Sequence, residues 1–180
     1  MPESNVPAST ITVCGVGKLE ETARQLNATH VLTIIRDHGH IPTPQGIAAA
    51  NHLRIDVNDI TEPGEGMVHP LPEHIEQVLA FARDWQHRSP MIIHCFAGIS
   101  RSTASAYTSL CALNPDVPEA LIARRLRRAS PTATPNKLII SIADDILGRK
   151  GRMVDAIAAI GVGEPAMEAV PFHLESRQIP

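Results

Sequence analysis

Aromatic side chains are scarce in this chain: there are three Phe, one Trp and one Tyr, and none precedes Phe81. Any pocket built from the N-terminal half up to that point is lined without a ring. Cysteine is rare as well. Cys14, Cys95 and Cys111 are too few and too scattered for a disulfide framework, and an odd thiol in an otherwise ordinary chain points to a reducing compartment. No apolar run approaches the ~18 residues of a membrane span, and the opening MPESNVPAST has neither the basic nor the apolar region of a secretory signal. Nor is positive charge in excess: 16 Lys+Arg against 19 Asp+Glu leave a net charge of −3, with no general pull toward nucleic acid or anionic lipid. These absences predict a cytoplasmic chain with no nucleic-acid or membrane partner; its oligomeric state is unknown from sequence, with a monomer as the default.

What is present is core material. Hydrophobic residues make up 43% of 180 positions, enough for one compact domain and cramped for two. Short β-branched or apolar runs at 11–16, 30–35 and 91–94, and the alternation of Leu53, Ile55 and Val57 with Arg54 and Asp56, predict strands. Helical spacing predicts helices over 19–26, 72–87, 102–113, 119–129, 136–147 and, more weakly, 153–160. Residues 37–45 and the Pro- and Gly-bearing 58–72 read as loops. Strands alternating with helices predict a single α/β domain with a central, mostly parallel sheet flanked by helices. The expected boundaries are a flexible N-terminus over 1–10, the domain over 11–150 and a C-terminal extension over 151–180.

Chemistry concentrates in His94-Cys95-Phe96-Ala97-Gly98-Ile99-Ser100-Arg101-Ser102, where a strand feeds a tight turn that opens a helix. Backbone N–H groups from Phe96 through Ala97, Gly98, Ile99 and Ser100 to Arg101 can curl into a nest, and the helix aims its free N–H groups and positive end at the same point. A phosphate suits that spot. Gly98 relieves the curl. The same field favours the thiolate of Cys95, the nucleophilic form. Arg101 offers a planar fork to two phosphate oxygens, and Ser102 a hydroxyl to the sulfur when it becomes a leaving group. The parts describe displacement at phosphorus through a phosphocysteine, with charge stabilisation rather than a metal or cofactor as the requirement. His38 and His40 lack a third ligand partner, so no metal site is expected. Cys and Arg at this spacing arise easily by chance; His before, Gly between and Ser after are a far stricter demand.

HCFAGISRS resembles the signature of the cysteine-dependent protein tyrosine phosphatases, and is most similar to their dual-specificity branch. LRIDVNDITEP, the helix from Pro72, and LIARRLRRASPTATPNKLII follow that branch's order from about residue 10 to 150, and Pro135-Asn136 is similar to a pair found there. The last thirty residues have no recognisable counterpart. The resemblance implies a tyrosine-phosphatase-like fold and a cofactor-free protein tyrosine or dual-specificity phosphatase acting on phosphorylated proteins. The alternatives are a phosphatase for a small metabolite, nucleotide, RNA end or lipid, and a catalytically silent phosphate-binding module.

Expelling an alkoxide or phenoxide takes a proton, and Asp56, Asp59, Glu62 and Glu65 are the eligible donors. Asp59 lies just past the strand, at the root of the loop, where the resemblance also puts the acid; Asp56 sits within the alternating run and is the second choice. Phe96, Ala97, Ile99 and Ser100 carry no charge, unlike the Lys-bearing turns of inositol-lipid phosphatases. Without early aromatics to clamp a phosphotyrosine ring, the pocket is expected to be shallow, with Phe96 the nearest ring and Phe172 able to add another by folding over. The basic run Arg124, Arg125, Arg127 and Arg128 reads as a solvated helix face, with docking as the alternative. Cys14 reads as a core thiol, with a disulfide to oxidised Cys95 as the alternative.

Overall fold

Runs that are apolar without alternation become strands covered on both faces. A computed structural model describes residues 6–177. In it β1 (Thr10–Gly15), β2 (His30–Ile34), β3 (His52–Ile55) and β4 (Met91–Cys95) form a parallel sheet, and every residue of β1 and β4 is buried. That is the pattern of central parallel strands between layers of helix. A fifth strand, β5 (Phe172–Glu175), adds antiparallel to β1, giving the order β3-β2-β4-β1-β5.

α1 (Leu19–Leu26) covers one face of β1 and β4, while α3 (Arg101–Leu113) packs on the same two strands from the other. Around α3 stand α2 (Pro72–Asp84), α4 (Glu119–Ala129) and α5 (Lys137–Ile146). α3 is enclosed almost to its end, with Tyr107 fully buried, and the apolar face expected of α2 buries Ile75, Val78, Leu79 and Ala82. α6 (Arg152–Ile160) packs on α4 and α5. Asp144 starts it by accepting from Gly151 N (2.6 Å) and Met153 N (2.8 Å), and buried Glu119 receives Arg149 and Arg152 beside it.

Met153, Ala156 and Ile157 of α6 and Phe172 and Leu174 of β5 thus join the same core. β5 was not expected, and it settles Phe172: the ring is buried on the sheet edge beside β1 instead of folding over the signature turn. Between α6 and β5 a strap over 161–171 forms neither helix nor strand and bends at 167–168. Part of the expected flexible lead-in, residues 1–5, and residues 178–180 lie outside the described residues. Among the described residues no helix is long and apolar enough to cross a membrane.

Candidate active site

β4 ends at Cys95 and α3 begins at Arg101, so the signature turn sits at the C-terminal edge of the central strand. Its carbonyls are drawn outward by the surrounding chain. Phe96 O accepts from Val16 N (3.1 Å), Ala97 O from Ala169 N (2.8 Å), Ile99 O from Thr134 N (3.0 Å) and Ser100 O from Asn136 N (3.3 Å). With the carbonyls engaged outside, the N–H groups are left for the interior of the curl, an anion-binding nest. Gly98 turns it at φ +73°, and a Cβ there would lie 2.7 Å from the carbonyl carbon of Cys14. Only glycine fits that approach.

Cys95 lies at the floor of the turn and is buried. Its Sγ is 3.0 Å from Ser102 Oγ and receives the Gly98 N–H at 3.3 Å. Arg101 is buried as well: Nη1 donates to Val57 O (2.8 Å), while Nε has no hydrogen-bond partner among the described residues and stands 3.9 Å from Asp59 Oδ2. A buried guanidinium N–H without an acceptor is costly, and an oxyanion in the turn would supply one. Phe96 projects outward at 68% exposure, so the one ring in the turn stands at its rim.

The two leading acid candidates part company. Asp59 Oδ1 accepts from Ser100 Oγ (2.7 Å) in the turn and from Asn136 Nδ2 (2.8 Å). Asp56 instead pairs with Arg36 and accepts from Asp37 N (2.8 Å), away from the turn. β3 stops at Ile55, so Asp56 lies just past the strand rather than within it, though Val57 beyond is fully buried.

Behind the turn, His94 Nε2 meets Thr33 Oγ1 (2.6 Å), which meets His52 Nε2 (2.7 Å), whose Nδ1 meets Thr43 Oγ1 (3.0 Å). Burial pushes His94 and His52 down to about 4, with nearby cationic groups adding to the shift. Both imidazoles are therefore neutral near pH 7, suited to organising the strand end rather than to carrying charge.

Cys14 and Cys111 are core thiols. Burial pushes each up to about 12. The sheet register sets Cys14 beside His94 and Gly15 beside Cys95, so strand alternation sends the Cys14 side chain to the face opposite that of Cys95. Both cysteines are free thiols. The arginine run divides: Arg124 and Arg128 are exposed, whereas Arg127 binds the carbonyls of Pro131 (2.6 Å) and Gly161 (2.8 Å), tying the loop after α4 to the end of α6. Sequence reasoning missed the tie from Asn136 to Asp59, the strap bond to Ala97, and Thr33 with His52 behind His94. Only the Pro135-Asn136 pair gave a signal for any of them.

No protein-family model matches the chain, and no curated protein matches it either. By shape it is similar to the crystal structure of human DUSP28, with a TM-score of 0.61 at 19% identity over 81% of this chain and 94% of that one. It is also similar to the PTP-2 phosphatase of Cydia pomonella (TM-score 0.60, 18% identity, 75% and 84% covered). A third match is DUSP15 (TM-score 0.58, 19% identity, 86% and 91% covered). The fold is that of the cysteine-dependent protein tyrosine phosphatases, as HCFAGISRS predicts.

Proposed function

We propose that this protein hydrolyses phosphate monoesters through Cys95, with phosphorylated proteins as substrates and tolerance for both phosphotyrosine and phosphoserine or phosphothreonine. The observation that carries the reading is the floor of the turn. Cys95 Sγ lies within 3.0 Å of Ser102 Oγ under outward-drawn carbonyls, beside a buried Arg101 Nε with no partner among the described residues.

In the first step the Cys95 sulfur forms a bond to phosphorus as the ester P–O bond breaks, and Asp59 gives its proton to the leaving oxygen. Loop N–H groups and Arg101 meet the charge on the equatorial oxygens. In the second step water attacks phosphorus, its proton passes to Asp59, and the S–P bond breaks. The Ser102 hydroxyl then donates to the departing thiolate. No cofactor is required by these steps. Broad specificity is supported by the exposed Phe96 and the absence of any aromatic before Phe81.

The test is phosphate release from para-nitrophenyl phosphate, with and without EDTA, beside the Cys95→Ser protein. Chelator-independent turnover that disappears in the variant supports the reading. Absent turnover with retained vanadate binding would instead favour a silent phosphate-reading module.

A further inference from the structure

Two cavities adjoin along Thr134, Pro135 and Lys137. The first is an open groove of about 610 Å³ that runs from Asp59 and Ser100 past Asn136 to Lys137. The second, of about 330 Å³, lies between α5 and α6, and its apolar lining is Ile140, Val154, Ile157, Ala158 and Val162. The three shared residues stand between them, so the apolar cavity is the immediate neighbour of the groove that holds Asp59.

The walls are fixed in advance. Arg127 holds Gly161 O, Gly163 N donates to Thr134 Oγ1 (3.0 Å), and Glu164 N donates to Pro131 O (2.9 Å). Gly163 passes so close that a Cβ there would lie 2.5 Å from the Thr132 backbone. At the mouth Val162 is 78% exposed and Val154 41%. A clamped apolar cavity open to solvent is the form of a binding subsite.

We infer that this cavity is a second subsite of the same groove and takes one aliphatic side chain of an extended phosphopeptide. The inference rests on the phosphatase reading above. The cavity is at the small end of ligand sites, room for a side chain rather than the paired acyl chains of a phospholipid. The turn also lacks the lysine that would draw a polyanionic headgroup. Lys137, exposed and without an ion-pair partner among the described residues, lines both cavities, and Glu62 also lines the groove. That suits a polar peptide segment crossing between the two cavities. Ile140 lies one helical turn beyond Asn136, an advance of about 6 Å or about two extended residues, so the cavity is within reach of side chains a few positions to one side of the phosphoresidue.

The experiment is a leucine scan on phosphotyrosine peptides of an otherwise Ala/Ser sequence, from five positions before the phosphoresidue to five after. kcat/KM is read as the ratio of each leucine peptide to its alanine parent. The inference expects the ratio to rise about ten-fold at one or two neighbouring positions on one side of the phosphoresidue, and to fall to about one there in Val154→Asp and Val162→Asp. Each ratio is taken within one protein, so a general loss of activity cancels. A flat scan, or a preference that survives in both variants, would overturn it. Para-nitrophenyl phosphate turnover tests the underlying reading separately. If it is absent, binding of the same labelled peptides to the Cys95→Ser protein decides the cavity by the same ratio.

Discussion

Asn136 fastens Asp59 and starts α5 with opposite ends of one amide. Nδ2 donates to Asp59 Oδ1 (2.8 Å) and to Ile60 O (3.2 Å), while Oδ1 accepts the N–H groups of Leu138 and Ile139 at 3.1 Å each. The loop carrying the acid candidate is thereby tied to the cap of a helix 77 residues later in the chain.

Asn136→Ala removes both functions. Loss of the cap lowers stability by about 1 kcal/mol, and release of Asp59 lowers kcat for alkyl phosphates by about ten-fold through misplacement. Asn136→Asp keeps the cap, since a carboxylate accepts from the same N–H groups, but sets a second carboxylate against Asp59. Thermal unfolding should recover in the aspartate variant while kcat should not; recovery of both would make the role of Asn136 purely structural.

Asp59 and Asp56 are separated by the same logic. Asp59→Asn is expected to cost about 100-fold on phosphoserine peptides and much less on esters with good leaving groups. Asp56→Asn breaks a half-exposed pair with Arg36, worth about 0–1 kcal/mol, and should leave turnover near that of the native chain. A leaving-group series on both variants reads the difference directly.

The central strands were legible as short apolar, β-branched runs, and the helices α1 to α6 because their apolar residues repeat at the helical period. β5 was not. Its four residues do alternate buried and exposed, but so short an edge strand after a Pro-bearing stretch carries too little pattern. For the acid, the sequence ranks Asp59 ahead of Asp56, with Glu62 and Glu65 behind; what it cannot encode is that Asp59 faces Ser100 and Asn136 while Asp56 pairs with Arg36. Contacts such as His94 with Thr33 and Asn136 with Asp59 join segments distant in the chain, and no local periodicity encodes them.

Gly98→Ala tests the shape of the turn. The residue sits at φ +73°, and its new Cβ would meet the backbone of Cys14 and Gly15. Backbone strain of about 1–3 kcal/mol follows, together with displacement of the N–H that reaches Cys95 Sγ. Both the unfolding midpoint and turnover should fall. An unchanged midpoint would mean that the turn is looser than its contacts indicate.

Stability should depend on pH through His94 and His52. In the folded chain both sit at about 4, chiefly through burial, against 6.5 when free. A depressed folded value means that stability is fully present above the unfolded value and is lost as pH falls from about 6.5 toward 4, because the unfolded chain takes up protons first. Each histidine contributes a slope on the order of 1.4 kcal/mol per pH unit within that window. Calorimetric unfolding near pH 5.5, in two buffers of different ionisation enthalpy, should register net proton uptake, and His52→Gln should reduce it. Uptake near zero would contradict the neutral buried pair.

The most direct measurement follows the sulfur itself. Ser102→Ala removes the hydroxyl 3.0 Å from Cys95 Sγ, which slows release of the thiolate and lets the covalent species build up. The variant is quenched in acid while turning over para-nitrophenyl phosphate, and its peptides are weighed. The account predicts one added phosphoryl group on the peptide containing Cys95. Steady turnover with that peptide unmodified, or turnover that persists in Cys95→Ser, would contradict it.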